Sequence, residues 1–191
     1  MENKIIKKLE KGRNPILIIL VGESGVGKTT FVKKMKCENN WFESSRALVN
    51  EINISGLKKD HNNIHLLAIK KYNENPYWQV PQILKELNLK KFLILDGPRR
   101  FQEVEKLLNE NYRTIIIKIK VLKEIERSNR LIQRDDIDKK DFEKISNDEL
   151  KETELEKIFA LADFEIINNG DIREFEKIAL KIKRIITKYL K

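Results

Sequence analysis

Residues 16–30 read ILIILVGESGVGKTT. The stretch Ile16–Val21 is continuously apolar and largely β-branched, the composition of a strand buried on both faces. It runs directly into Gly22-Glu23-Ser24-Gly25-Val26-Gly27-Lys28-Thr29, which satisfies the G-x-x-x-x-G-K-[ST] pattern without a mismatch. Glycines at these positions let the backbone wrap an anion, so that successive N–H groups point inward. A helix beginning near Lys28, with Phe31, Val32 and Met35 on one face, adds its positive dipole end. The candidate phosphate cradle is therefore Gly22, Ser24, Gly25, Val26, Gly27, Lys28, Thr29 and Thr30. Lys28 reaches the β and γ phosphates, and the Thr29 hydroxyl is the candidate Mg²⁺ ligand.

These residues resemble the P-loop NTPases. The resemblance implies an α/β chain: a three-layer α/β/α fold with a central parallel sheet of about five strands and a small helical lid. It implies nucleotide binding more firmly than any one activity.

The segment Lys91–Glu105, KFLILDGPRRFQEVE, carries the next constraint. Phe92–Leu95 has the composition of another buried strand, and Asp96 stands at its C-terminal end, where ligands bind in open parallel sheets. That is the place for the second metal-side carboxylate, although an Asp there also caps helices. The neighbour of Asp96 is Gly97, not the Glu that ATP-hydrolysing motors place there to activate water. No N-K-x-D or D-x-x-G sequence of the GTPases accompanies it, and the substrate motifs of guanylate kinases are missing. The run Asp96, Gly97, Arg99, Glu103, Val104, Glu105 resembles the nucleoside-monophosphate kinases, and looks closest to dephospho-coenzyme-A-kinase-like and deoxynucleotide-kinase proteins. Two later segments continue the resemblance: Arg127, Arg130 and Arg134 after a third strand within Arg113–Val121, and Ala162-Asp163 through Asn168-Asn169-Gly170. A C-terminal helix with Phe175, Ile178, Ala179, Ile182, Ile185 and Ile186 at helical spacing closes the pattern.

The resemblance implies site roles. Arg127, Arg130 and Arg134 lie three and four apart, on one side of a helix, and are expected to converge on a triphosphate, with Arg130 and Arg134 as transition-state contacts. The alternative is a solvated helix paired with Glu124, Glu126, Asp135 and Asp136. Asn168, Asn169 and Gly170 are expected against the adenine, or form a simple turn. Arg46 and Arg99 would grip an acceptor phosphate. Tyr77 and Trp78 would stack on a base or pack in the core. The acidic residue that such kinases place after the second strand is not identified in this sequence. The whole chain is expected to be one domain, with a basic N-terminal helix over 1–14, an acceptor region over about 38–88 and a lid over about 123–150. The implied activity is transfer of the γ-phosphate of ATP, with Mg²⁺, to a nucleotide or nucleotide-like small molecule. An ATP-binding module acting on DNA or a partner protein, or a polynucleotide 5′-kinase, is the alternative.

Charge bears on that alternative. Lys+Arg is 39 against Asp+Glu 30, a net charge of +9. The 39 divide into 29 Lys and 10 Arg, beside 27 Ile and 17 Asn, so most lysines reflect composition rather than a partner. Six arginines, Arg46, Arg99, Arg100, Arg127, Arg130 and Arg134, fall at the expected phosphate positions, so nucleic acid is a disfavoured partner. A single cysteine, Cys37, excludes an intramolecular disulfide and suits a reducing compartment. No apolar run approaches a membrane span, and no secretory signal is recognisable. A cytoplasmic monomer or homodimer is expected.

Overall fold

The computed structural model describes residues 1–11, 13–56, 61–135, 137–152 and 154–190. Five strands, β1 (Arg13–Val21), β2 (Trp41–Glu43), β3 (Phe92–Asp96), β4 (Tyr112–Lys120) and β5 (Phe164–Ile167), form one sheet in the order β2-β3-β1-β4-β5. Every pairing is parallel. No helix among the described residues is long and apolar enough to cross a membrane.

β1 explains the layering. Its residues from Ile16 to Val21 are all fully buried, and successive side chains point to opposite faces. Ile16, Ile18 and Leu20 enter one core, with α1 (Glu2–Leu9), α2 (Lys28–Met35) and α10 (Ile172–Lys188) packed over it. Leu17, Ile19 and Val21 enter the other, against α5 (Val80–Leu89), α6 (Phe101–Leu108) and α9 (Leu155–Ala160). A strand with no polar face can be covered only by helices on both sides, which gives the three layers. The expected α/β/α architecture and five-stranded parallel sheet are present.

The helices carry matching patterns. In α1, Ile5 and Leu9 are buried while Lys4 and Lys7 stay outside. α10 buries Phe175, Ala179, Ile182, Ile185 and Ile186. It starts at an Asp171 cap whose carboxylate accepts from the backbone N–H groups of Arg173 (2.9 Å) and Glu174 (3.2 Å). Phe175 meets Phe31 of α2 with ring centroids 5.3 Å apart. Between β2 and β3 lie α3 (Ser44–Ser55), α4 (His61–Glu74) and α5, with a small core of Leu48, Ala68 and Tyr72. α7 (Glu124–Asp135) and α8 (Lys139–Glu152) follow β4 over the region expected to form a lid.

Register fixes what the fold presents at its C-terminal edge. Leu20 of β1 pairs with Asp96 of β3, and Asp96 pairs with Glu43 of β2. The phosphate loop, Asp96 and Glu43 therefore leave the sheet at one level. The central strand carries this arrangement. Ile18→Ala removes a fully buried side chain in β1 and should cost about 2–5 kcal/mol, read as a lowered urea midpoint with unchanged slope.

Candidate functional site

The loop after β1 is built at close quarters. Gly22 has φ 152°, and a Cβ there would stand 2.3 Å from the Ile119 carbonyl oxygen of β4. Gly27 has φ 102°, and a Cβ would stand 2.5 Å from Asn168 Nδ2. The motif glycines are thus demanded by neighbouring backbone and side chain as well as by the turn. Asn168 Nδ2 donates to the Val26 carbonyl at 2.9 Å, so the loop after β5 pins the phosphate loop from the side. Lys28 opens α2, and its Nζ donates to the carbonyls of Gly22 (2.7 Å) and Glu23 (3.0 Å). Thr29 and Thr30 follow in the first turn of α2.

Asp96 ends β3 and is buried. The Gly97 N–H donates to the Leu20 carbonyl at 3.0 Å, holding this strand end against β1. Burial pushes the Asp96 carboxyl up to about 6; the Lys28 ammonium opposes the rise, Glu43 adds to it, and Trp41 and Arg99 oppose it. Among the described residues no group of three or more His, Cys, Asp or Glu side chains could hold a metal. Thr29 and Asp96 carry oxygen donors on the phosphate-loop side, a donor chemistry that fits a Mg²⁺ taking its remaining oxygens from phosphate and water.

The sequence reading identifies no acidic residue after the second strand; the structure puts Glu43, the last residue of β2, beside Asp96. β2 has only three residues, too few for a periodic signal, and sheet register alone brings Glu43 beside Asp96. Ser45 Oγ donates to Glu43 Oε1 at 3.1 Å, and Arg46 Nε lies 3.6 Å from Oε2. The Arg46 guanidinium sits 5.1 Å from the centroid of the Trp41 ring. Arg46 and Arg99 therefore flank the Glu43–Asp96 pair, on β2–α3 and on the turn after β3.

The three α7 arginines do not converge. Arg127 is buried. Its Nε and Nη2 bond the Glu124 carboxylate, Nη1 donates to the Ser24 carbonyl at 3.2 Å, Nη2 donates to Ser146 Oγ at 2.8 Å, and Glu23 Oε1 lies 3.5 Å away. Its guanidinium stacks 4.9 Å from the Phe142 centroid. Arg130 turns the other way, donating to the Asn168 carbonyl at 3.4 Å, with Glu126 Oε2 at 3.7 Å. Arg134 is exposed on the last turn of α7. Carboxylates one turn earlier, Glu124 and Glu126, draw Arg127 and Arg130 apart. Arg127, expected at the triphosphate but not as a transition-state contact, is the arginine bonded to the phosphate loop, and Arg130 stands at the β5–α10 loop. Asp136 lies outside the described residues, as does the Asp135 side chain. A cavity of about 490 Å³ opens between α7, α8 and Glu23, lined by Arg127, Glu124, Lys139 and Phe142.

Two further expectations separate. Trp78 packs edge-on to Tyr72, with centroids 6.0 Å apart, and joins the small α3–α4 core; of its two readings, the structure shows core packing. Tyr77 is exposed. Asn168 is buried and spends its amide on the phosphate loop, while Asn169 and Gly170 are exposed beside Arg130.

No protein-family model matches the chain, and no curated protein matches its sequence. Solved structures do match. A gluconokinase from Sinorhizobium meliloti 1021 aligns with a TM-score of 0.55 at 14% identity, over 92% of this chain and 95% of that one. A shikimate kinase from Acinetobacter baumannii in complex with shikimate aligns with a TM-score of 0.54 at 14% identity, over 93% and 95%. At such identities the likeness is one of fold: a five-stranded parallel sheet between helical layers, matching the fold of these two kinases.

The Asp96 carboxyl yields a sign-specific test. Folding raises its pKa from 3.8 to about 6, so the cost of the buried charge is absent below pH about 4 and complete above about 6. Asp96→Asn should therefore be the more stable chain at pH 7.5, by on the order of 2–3 kcal/mol, and should lose that advantage at pH 4. Urea unfolding at the two pH values measures it.

Proposed function

We propose that this chain is an ATP-dependent phosphotransferase that moves the γ-phosphate of ATP to a nucleotide or nucleotide-like small molecule, of nucleoside-monophosphate or dephospho-coenzyme-A type. The observation that carries the reading is the shared register of Leu20, Asp96 and Glu43. It sets a phosphate loop, a buried carboxyl and a second carboxyl side by side, with Arg46 and Arg99 flanking them. Fold likeness to a gluconokinase and a shikimate kinase supports a small-molecule acceptor.

Phosphoryl transfer depends on positioning and charge neutralisation. The backbone of Gly22–Thr30 would hold the triphosphate, and Lys28, now bonded to the Gly22 and Glu23 carbonyls, would exchange those for β and γ oxygens. Mg²⁺ would be held by Thr29 and Asp96 and would supply neutralisation of the phosphate charge. Arg127, already hydrogen-bonded to the loop at Ser24, would follow the γ-phosphate. Arg130, against the Asn168 carbonyl, would border the base with Asn169 and Gly170. Glu43 stands beside Asp96 and would orient the attacking oxygen, taking its proton where that oxygen is a hydroxyl, while Arg46 and Arg99 would bind the acceptor's anionic group.

Incubation of the purified chain with γ-labelled ATP and a panel of nucleoside monophosphates, dephospho-coenzyme A and sugar acids tests the reading. Label should move to at least one acceptor; ATP consumption equal with and without every acceptor overturns it. Lys28→Ala should lower turnover at least about 100-fold with the native fold retained. Arg127→Ala should lower kcat, and Arg130→Ala should mainly raise the KM for ATP; the reverse pattern would reassign the two arginines.

A further inference from the structure

Behind the acceptor side lies a buried polar chain. Glu103 of α6 and Gln79 are fully buried, Ser44 is 2% exposed and Tyr72 of α4 is 4% exposed. Tyr72 Oη lies 3.3 Å from Gln79 Oε1 and 3.4 Å from Glu103 Oε2. Gln79 Nε2 donates to the Ser44 carbonyl at 2.8 Å, which fixes the orientation of the amide and leaves Oε1 facing Tyr72 as an acceptor. Tyr72 has one hydroxyl proton and two neighbouring acceptors if Glu103 is ionised. The chain closes only when Glu103 carries a proton: Glu103 then donates to Tyr72, Tyr72 to Gln79, and Gln79 to Ser44. Among the described residues Glu103 Oε1 has no hydrogen-bond partner, a position that would penalise an anion heavily.

The surrounding groups pull in both directions. From α4 the carboxyl faces Tyr72, whose hydroxyl burial pushes well up, with Glu103 adding to the rise. From the turn before α6 come Arg99, whose backbone N–H favours the anion, and Arg100, whose guanidinium lies 5.5 Å from the Tyr72 ring centroid. From the start of α9, Glu154 accepts from the Phe101 N–H at 3.1 Å, adding a negative charge at the N-terminus of the same helix. Burial outweighs the favourable hydrogen bonds and pushes the Glu103 carboxyl up to about 8.

We propose that Glu103 is a positioning residue for the acceptor: as a neutral acid it starts a hydrogen-bond chain through Tyr72 and Gln79 to Ser44, tying the turn that bears Arg99 to the residue after Glu43. This rests on the kinase reading above. Loss of the proton to solvent leaves two acceptors facing one hydroxyl and an anion in an apolar shell, so the two segments that flank Asp96 come apart and the acceptor is released. Acceptor binding weakens as pH rises, without titration of any group that touches ATP.

The chain's two tryptophans allow a direct test. In a Trp41→Phe background the remaining Trp78, edge-on to Tyr72, reports the cluster by its emission. Between pH 6 and 9.5 that emission should change with a midpoint near 8 and should stay flat in Glu103→Gln, whose amide donates to Tyr72 but does not titrate. Identical titrations in the two chains overturn the proposal. In the unaltered chain carrying ¹³C-carboxyl glutamate, one resonance should titrate near the same midpoint, and its absence overturns the proposal even if the variant fails to fold. With the acceptor selected by labelled ATP, the acceptor KM should rise about tenfold per pH unit above the midpoint with kcat little changed, and should be flat in Glu103→Gln. A wild-type acceptor KM independent of pH overturns the positioning role while leaving the kinase reading intact. Failure to find any acceptor counts against the kinase reading, and the emission and resonance titrations then decide the proton chain by themselves.

Discussion

Burial of β1 on both faces is the constraint on which the rest depends. Six consecutive apolar residues, alternating between two cores, force helices onto each side of the sheet and parallel partners onto each edge of the strand. A loop that leaves such a strand emerges at the middle of the sheet, level with the ends of β3 and β2. The phosphate loop is central because the strand that feeds it has nowhere else to go. Its glycines are packed against Ile119 and Asn168, so the loop is held by the sheet as well as by its own turns.

Around that loop, charge is arranged by proximity. Burial raises the Asp96 carboxyl, Lys28 opposes the rise and Glu43 adds to it, so a carboxyl in this position sits nearer neutrality than an exposed one. Arg127 is held by Glu124 and the Ser24 carbonyl, with Glu23 close by. Phosphate oxygens would compete for the donors of Lys28 and Arg127. An arginine that is already desolvated, stacked on Phe142 and hydrogen-bonded to the loop loses little further side-chain entropy in taking a new anion.

Local chemistry made part of this legible in sequence. The P-loop needs particular residues at adjacent positions, so its pattern survives without any knowledge of the fold, and Asp96 is marked by the apolar run that precedes it. Glu43 was not legible, because a three-residue strand has no period and its significance lies in register with β3. The α7 arginines share one side of a helix by spacing, but spacing says nothing about the carboxylates that claim each guanidinium. Trp78 and Tyr77 are neighbours in sequence, yet one joins a core and the other faces solvent. Tyr72 and Gln79 carry no motif, and the run that contains Glu103 says nothing of the groups it meets; folding separate segments together is what makes them a chain of donors and acceptors.

The sequence by itself determined the class of fold, the phosphate loop and the residue types that can meet a triphosphate, because these follow from contiguous hydrophobicity and backbone conformational demand. Only the tertiary structure decided which carboxyls stand next to one another, which arginine reaches the loop and which glutamate is buried. Those outcomes turn on distances of a few ångströms between segments tens of residues apart, and electrostatic and hydrogen-bond energies vary steeply over such distances while leaving no trace in local sequence.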